Sequence, residues 1–255
     1  MFAHLDPHDR DAQAAFDATG AGADEFLNDW ATVLNILWRT DCIKKMGAAF
    51  FAQHPDSPGL NLGAGLSTYF QWLDNGANSW TDTDLPEVIS LRELLLAPVQ
   101  LHCRNHPLDI MQPGWWIGLR PKRYRDAKPV LIICEGVLMY LGAAEVAVVL
   151  REIGEHSPAG SELITDFIAP ALIGKAAFHP SVRRTGAEFA SGAHNGQELA
   201  NTHPRLQLLT QHSAAEAYGW LGHMAEFCWQ PYTSGPLYSL IRLGVTDGAV
   251  APLSR

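Results

Sequence analysis

Residues 129–135 read PVLIICE, a near-continuous apolar run only seven residues long. A strand with one wet face alternates polar and apolar side chains; a run without alternation needs cover on both faces, as a central strand of a parallel sheet has. The rest of the chain offers that sheet its neighbours. A short apolar strand ends in Gly63-Ala64-Gly65, and residues 78–84, 99–103, 162–167, 206–211 and 237–243 read as five more. Helical periods lie between them. Asp29 to Gln53 carries Trp30, Val33, Leu34, Leu37, Ile43, Met46 and Phe50; a short helix spans about 68–73; Pro86 opens a helix with Val88, Leu91, Leu94 and Leu95 on one side; another covers 143–153. Strands alternating with helices predict a doubly wound α/β fold around a mainly parallel seven-stranded sheet. The reading is one domain over 1–255, with an N-terminal helical segment (1–57). Residues 168–204, between the fifth and sixth strands, are too long for a plain connection and are expected to form a helical lid.

Composition narrows the partners. With 47% hydrophobic and 18% charged residues the chain is neither disordered nor membrane-spanning, and its formal charge of -9 offers no basic footprint for nucleic acid. The start of the chain leads into Asp6, Asp9 and Asp11 rather than a basic region and apolar core, so a cytoplasmic location is expected. Cys42, Cys103, Cys134 and Cys228 lie far apart and read as buried thiols; the eleven histidines show no ligand spacing, so no metal is expected.

Two segments carry chemistry. Asn61-Leu62-Gly63-Ala64-Gly65 follows a strand and precedes a helix, where glycines let a ligand approach the backbone. Asp84 lies 21 residues after Gly63 at the end of the next strand, where a carboxylate can accept both hydroxyls of a ribose. Nicotinamide dinucleotides and S-adenosylmethionine both fit this layout. Thr68 stands where the dinucleotide fingerprint wants Gly or Ala, which weakens the oxidoreductase alternative without removing it.

The stretch NLGAGLSTYFQWLDNGANSWTDTDLPEVISLRELL (61–95) resembles the first two strands of the leucine carboxyl methyltransferase superfamily, and CEGVLMYL (134–141) resembles its signature at the fourth strand. FHPSVRRTGAEF (178–189) is similar to the polyketide-synthesis O-methyltransferase branch, and the resemblance runs from about Trp30 to Leu243. It implies S-adenosylmethionine as cofactor. Arg39 would hold its methionine carboxylate, Gly63 and Gly65 would pass beneath it, Asp84 would take the ribose, Leu108 and Asp109 would flank the adenine, and Glu135 would face its cationic end. Asp109 could equally cap a helix beginning near Met111. Tyr140 would overhang the pocket as the catalytic candidate, or simply pack.

One departure alters the pattern. Where the family commonly has Asp-Thr-Arg, this chain has Ser67-Thr68-Tyr69, so a weakly active, cofactor-binding protein is a rival reading. Methyl transfer needs chiefly alignment and exclusion of water, and a carboxylate acceptor needs no base. The expected substrate is a small aromatic or polyketide-like acid, methylated on its carboxylate rather than on a phenol. His179, His194 and His223 are the candidate bases if a phenol reacts; Trp115, Trp116 and Trp220 could wall an aromatic ring, and Arg183 or Arg184 could anchor an anion, against ordinary packing and a solvated face.

Overall fold

The computed structural model describes residues 30–96, 102–119, 128–176 and 186–248. In chain order the principal elements are α1 (Trp30–Gln53), β1 (Pro58–Leu62), α2 (Tyr69–Leu73), β2 (Ser79–Asp84), α3 (Pro86–Leu95), β3 (Cys103–Pro107), α4 (Trp115–Leu119), β4 (Leu131–Cys134), α5 (Ala143–His156), β5 (Glu162–Ile168), α6 (Gly196–Ala200), β6 (Leu206–Ser213), α7 (Gly219–Thr233) and β7 (Tyr238–Val245). The sheet order is β3-β2-β1-β4-β5-β7-β6. β1 to β5 pair in parallel, and β7 enters antiparallel between β5 and β6. This is a doubly wound α/β fold.

β4 is buried along its whole length, as its unbroken apolar run requires. One core cluster packs Val146, Val149, Leu150 and Ile153 of α5 and the tryptophans of α4 on one side of it. The other cluster packs Ile43, Met46 and Phe50 of α1 with Tyr69, Phe70 and Leu73 of α2. Glu145 opens α5 by accepting from the Gly142 backbone N–H at 2.7 Å, satisfying a donor the helix start leaves free. Among the described residues no helix is long and apolar enough to cross a membrane.

The structure corrects three expectations. α3 buries Ile89 and Arg92, leaving Leu91 and Leu94 exposed, because the Arg92 guanidinium is drawn inward by Asp82 at 2.8 Å. The third described strand runs Cys103–Pro107, beyond the expected 99–103, of which 99–101 lie outside the described residues; it is a half-exposed edge strand with a polar sequence, so it lacks the apolar run that marks a central one. Cys134 is buried, Cys42 and Cys103 are partly so, and Cys228 is exposed on the outer face of α7. Of the expected lid, 168–204, the described parts hold a 3-10 turn (Pro170–Leu172) and the five-residue α6, and 186–193 are irregular, while 177–185 lie outside the described residues. Ala190 N–H and Ala193 N–H bond to the Met139 and Ile168 carbonyls, so the backbone donors of this stretch are met by the sheet end rather than by a helix. Phe189 packs there with Met139, Ile168 and Ala176.

Candidate functional site

The carboxyl ends of β1, β2, β4 and β5 converge beside α1, the place where open α/β sheets form a crevice. After β1 the backbone takes left-handed conformations at Gly63 (φ 67°) and Gly65 (φ 50°), which a side chain would strain. A Cβ on Gly63 would lie 2.3 Å from Val137 Cγ2, so the turn is pressed against the loop after β4. Space around Gly65 is open to 4 Å. The result is a cavity of about 480 Å³, lined by Arg39, Gly63, Gly65, Thr68, Tyr69 and Glu135 among others.

Arg39 is the hub of this cavity. Its Nη2 is ion-paired with Glu135, and its Nη1 donates to Asp166 Oδ2 at 3.1 Å and to the Tyr238 hydroxyl at 2.7 Å. Burial works against the guanidinium charge, but Glu135, Tyr238 and Asp166 outweigh it and hold the pKa well above its ordinary value. Asp166 is fully buried at the end of β5 and also accepts from Gly136 N–H at 2.8 Å and the Tyr238 hydroxyl at 2.5 Å. Desolvation raises its pKa, with the cation of Arg39 opposing. The Tyr69 hydroxyl donates to Glu135, and burial together with that carboxylate keeps the phenol protonated well above its usual range. Arg39 Nε is buried without a hydrogen-bond partner, so this partly buried cation retains a free donor beside the cavity.

The chain's departure after the glycine turn becomes intelligible here. Ser67 Oγ accepts from Asn61 Nδ2 at 2.9 Å, and Tyr69 reaches Glu135, so two neutral hydroxyls stand in the place of an acid and an arginine. The base beneath the turn is polar and closed. Asp82 accepts from Asn61 Nδ2, Trp80 Nε1 and Arg92 Nη2 within 2.9 Å, and Arg92 Nη1 donates to the Gly65 carbonyl at 3.0 Å. That network fixes Gly65 from below.

Of the residues singled out from sequence, Arg39, Gly63, Gly65 and Glu135 share this cavity. Asp84 adjoins it: Oδ2 accepts from Gly65 N–H and Oδ1 from Leu85 N–H, each at 2.8 Å. Leu108 is tied to the same place through its N–H to the Asp84 carbonyl at 2.7 Å. Asp109 instead accepts from Met111 N–H at 2.8 Å and Gln112 Nε2 at 3.1 Å, ordering the turn before α4, which starts at Trp115. Tyr140 lies in the 3-10 turn Leu138–Tyr140, is 37% exposed, and packs on Phe189 with ring centroids 5.7 Å apart; it is absent from the cavity lining. Trp115 and Trp116 are core residues and Trp220 is exposed on α7. His194 Nδ1 faces the Thr233 carbonyl at 3.3 Å and His223 is exposed, while His179, Arg183 and Arg184 lie outside the described residues. Asp166, Tyr238, Asp82 and Arg92 were not anticipated. Asp166 and Asp82 are acids within otherwise apolar or strand-like segments, which was the one available signal. Among the described residues no group of three His, Cys, Asp or Glu side chains is placed to hold a metal ion.

The geometry suits a zwitterion with an attached nucleoside: a partly buried cation with a spare donor, a carboxylate beside it, a glycine floor and a second carboxylate at the next strand end. Comparison with known proteins points the same way. The family model for leucine carboxyl methyltransferase matches residues 16–154. The tetracenomycin polyketide synthesis O-methyltransferase TcmP of Streptomyces glaucescens is 28% identical over 183 residues, covering 71% of this chain and 65% of that protein. An S-adenosyl-L-methionine-dependent methyltransferase, dpfgK, of Gibberella zeae is 28% identical over 179 residues, covering 64% and 59%. The chain thus spans less than two thirds of the length of these curated relatives. A solved structure of a candidate methyltransferase from Thermobifida fusca superposes with a TM-score of 0.59 at 17% identity, covering 82% of this chain and 81% of that one, which supports the fold.

Proposed function

The chain belongs to the leucine carboxyl methyltransferase family, whose cofactor is S-adenosylmethionine, and from that premise we propose that it is an O-methyltransferase acting on the carboxylate of a small aromatic or polyketide-like acid. The observation that carries the reading is the ion pair of Arg39 and Glu135 beside the glycine turn of one cavity. Arg39 would exchange part of its pairing with Glu135 and Asp166 for the cofactor's carboxylate, using its free Nε donor. Glu135, released in the same movement, would face the ammonium and sulfonium end. Asp84 would accept from the ribose hydroxyls with the lone pairs left over from Gly65 and Leu85, and Leu108 would lie against the adenine. Asp109, which the turn before α4 occupies, would contribute less to the adenine pocket than to that turn.

When bound, the cofactor supplies an electrophilic methyl group: the carboxylate oxygen gives an electron pair to the new C–O bond as the C–S pair returns to sulfur. The chain's part is positioning and exclusion of water. A carboxylate acceptor is ionised near neutral pH, so no general base is required; neither His194 nor His223 is among the residues that line the Arg39 cavity. Tyr140 would stand at the acceptor side as an overhanging hydroxyl, its pKa raised by burial and by the charge of Asp166.

Calorimetry with S-adenosylhomocysteine and, separately, NAD tests the cofactor; binding of NAD alone would return the chain to the oxidoreductases. The acceptor atom is tested by methyl label. A methyl ester releases its label as methanol in mild alkali, whereas label that stays on the product would mark a phenol or another stable position.

A further inference from the structure

The two oxygens of Glu135 are held by donors of different kinds. Oε1 meets the Arg39 guanidinium, a cation, while Oε2 accepts from the Tyr69 hydroxyl, which is neutral. Tyr69 is the first residue of α2, is 4% exposed, and belongs to the core cluster that joins Ile43 and Met46 of α1 to Phe70 and Leu73 of α2. Packing therefore fixes its ring, and the hydroxyl reaches Glu135 at the wall of the cavity that both residues line. Arg39 is less committed. It also bonds Asp166 and Tyr238 and keeps an unmet Nε, so it can leave Glu135 without being stranded. When Arg39 turns toward a ligand, Glu135 loses its cation and keeps the phenol. A phenol donates a hydrogen bond without bringing a positive charge, so the carboxylate stays in place and its charge is left for whatever enters the cavity. An arginine here, the residue common at this place in the family, would hold Glu135 equally well and cancel that charge.

We propose that Tyr69 is a positioning residue that makes the site sensitive to the charge on the cofactor's sulfur: it holds Glu135 in place, with no second cation to offset it, while Arg39 turns to the cofactor's carboxylate. The inference rests on the methyl-transfer reading. Methyl transfer returns the C–S electron pair to sulfur, so the sulfonium becomes a neutral thioether while the carboxylate and ammonium of the same molecule are unchanged. Glu135 then attracts the donor more strongly than the spent product, and the reaction itself loosens the product's hold. A buried tyrosine in place of arginine thus tilts the site toward exchange of product for fresh cofactor.

The full chain is titrated calorimetrically with S-adenosylmethionine and with S-adenosylhomocysteine, without any acceptor. Wild type is expected to bind S-adenosylmethionine about tenfold more tightly, a modest part of what one unit charge beside another is worth in a partly exposed site. In Tyr69→Phe, which keeps the ring and its packing, the ratio of the two affinities should fall to about threefold, because Glu135 has lost its second anchor. In Tyr69→Arg, which adds a cation, it should fall to about one. A purely structural tyrosine would weaken both ligands alike and leave the ratio at its wild-type value; that result in Tyr69→Phe would overturn the proposal, as would a wild-type ratio near one, and either would leave the methyl-transfer reading standing. Failure of wild type to bind either ligand would instead sink that reading, and this inference with it.

Discussion

At the scale of single residues the site is a balance of charge around Arg39. Asp166 has no exposed side chain, and Arg39 is its cation. Arg39→Ala should therefore cost about 3 kcal/mol, because it strands a buried carboxylate, and adding Asp166→Asn should restore part of that loss; melting of the single and double variants is the check. Equal destabilisation in both would mean that Asp166 does not depend on the guanidinium. The phenols titrate in a predictable direction. Burial holds Tyr69 and Tyr238 protonated well above their ordinary value, whereas in the unfolded chain they ionise near pH 10, at about the usual tyrosine value. The folded state thus binds more protons there, so stability should fall as pH rises through about 10. Ultraviolet titration of the folded protein should show these two of its six tyrosines ionising only as the alkaline protein unfolds. Arg39 and Glu135 were legible in sequence because each is a charge in an apolar setting close to a recognisable motif. Asp166 and Tyr238 were not, because their pairing is made by the antiparallel register of β5 and β7, which lie 72 residues apart at these positions and carry no local mark of it.

At the scale of elements, the turn from β1 to α2 and the strand beside it behave as one unit. Gly63→Ala should cost about 3 kcal/mol, combining a left-handed backbone with the approach of Val137, against about 1 kcal/mol for Gly76→Ala, whose backbone is also left-handed but whose surroundings are open. Denaturant melts compare the two. Asp84→Ala removes the acceptor for Gly65 N–H and, in the proposed function, the ribose ligand; S-adenosylhomocysteine affinity should fall by about 2 kcal/mol, read by calorimetry. Unchanged binding by a folded variant would take the ribose away from Asp84. The glycine turn and Asp84 were readable because their chemistry is local: a strand end, positive backbone angles, a fixed interval. The inward face of α3 was not. Its leucines are spaced like a buried stripe, yet Asp82, a buried acid on a strand already accepting from Trp80 and Asn61, is more costly to leave unpaired than Leu91 and Leu94 are to expose.

At the scale of the whole molecule, the alternation of apolar runs and helical periods foretold six of the seven strands near their places, the polar edge strand β3 being the exception, since local pattern decides which segments are covered on both faces. It could not place the last two strands side by side in reverse chain order, because adjacency of distant segments is set by packing rather than by period. The same sheet suggests how the protein answers to reagents. With no group of metal-binding side chains among the described residues, turnover should survive a chelator; loss on EDTA and recovery with added magnesium or zinc would reveal a metal requirement. The position of β7 has a temporal side as well. Among the described residues β6 is a sheet edge whose only strand neighbour is β7, and β7 also covers the flank of β5. On a translating ribosome β6 emerges first and must wait, its backbone unpaired, until residues 238–245 have left the tunnel. Stalled chains ending before Tyr238 should hold β1 to β5 in a protease-resistant form with β6 still open to cleavage, and the Asp166 carboxylate should lack its tyrosine until the final strand arrives. The half of the molecule proposed to bind the nucleoside, with the charges of Arg39, Glu135 and Asp166, would then exist before the tyrosine hydroxyl that ties two of those charges together.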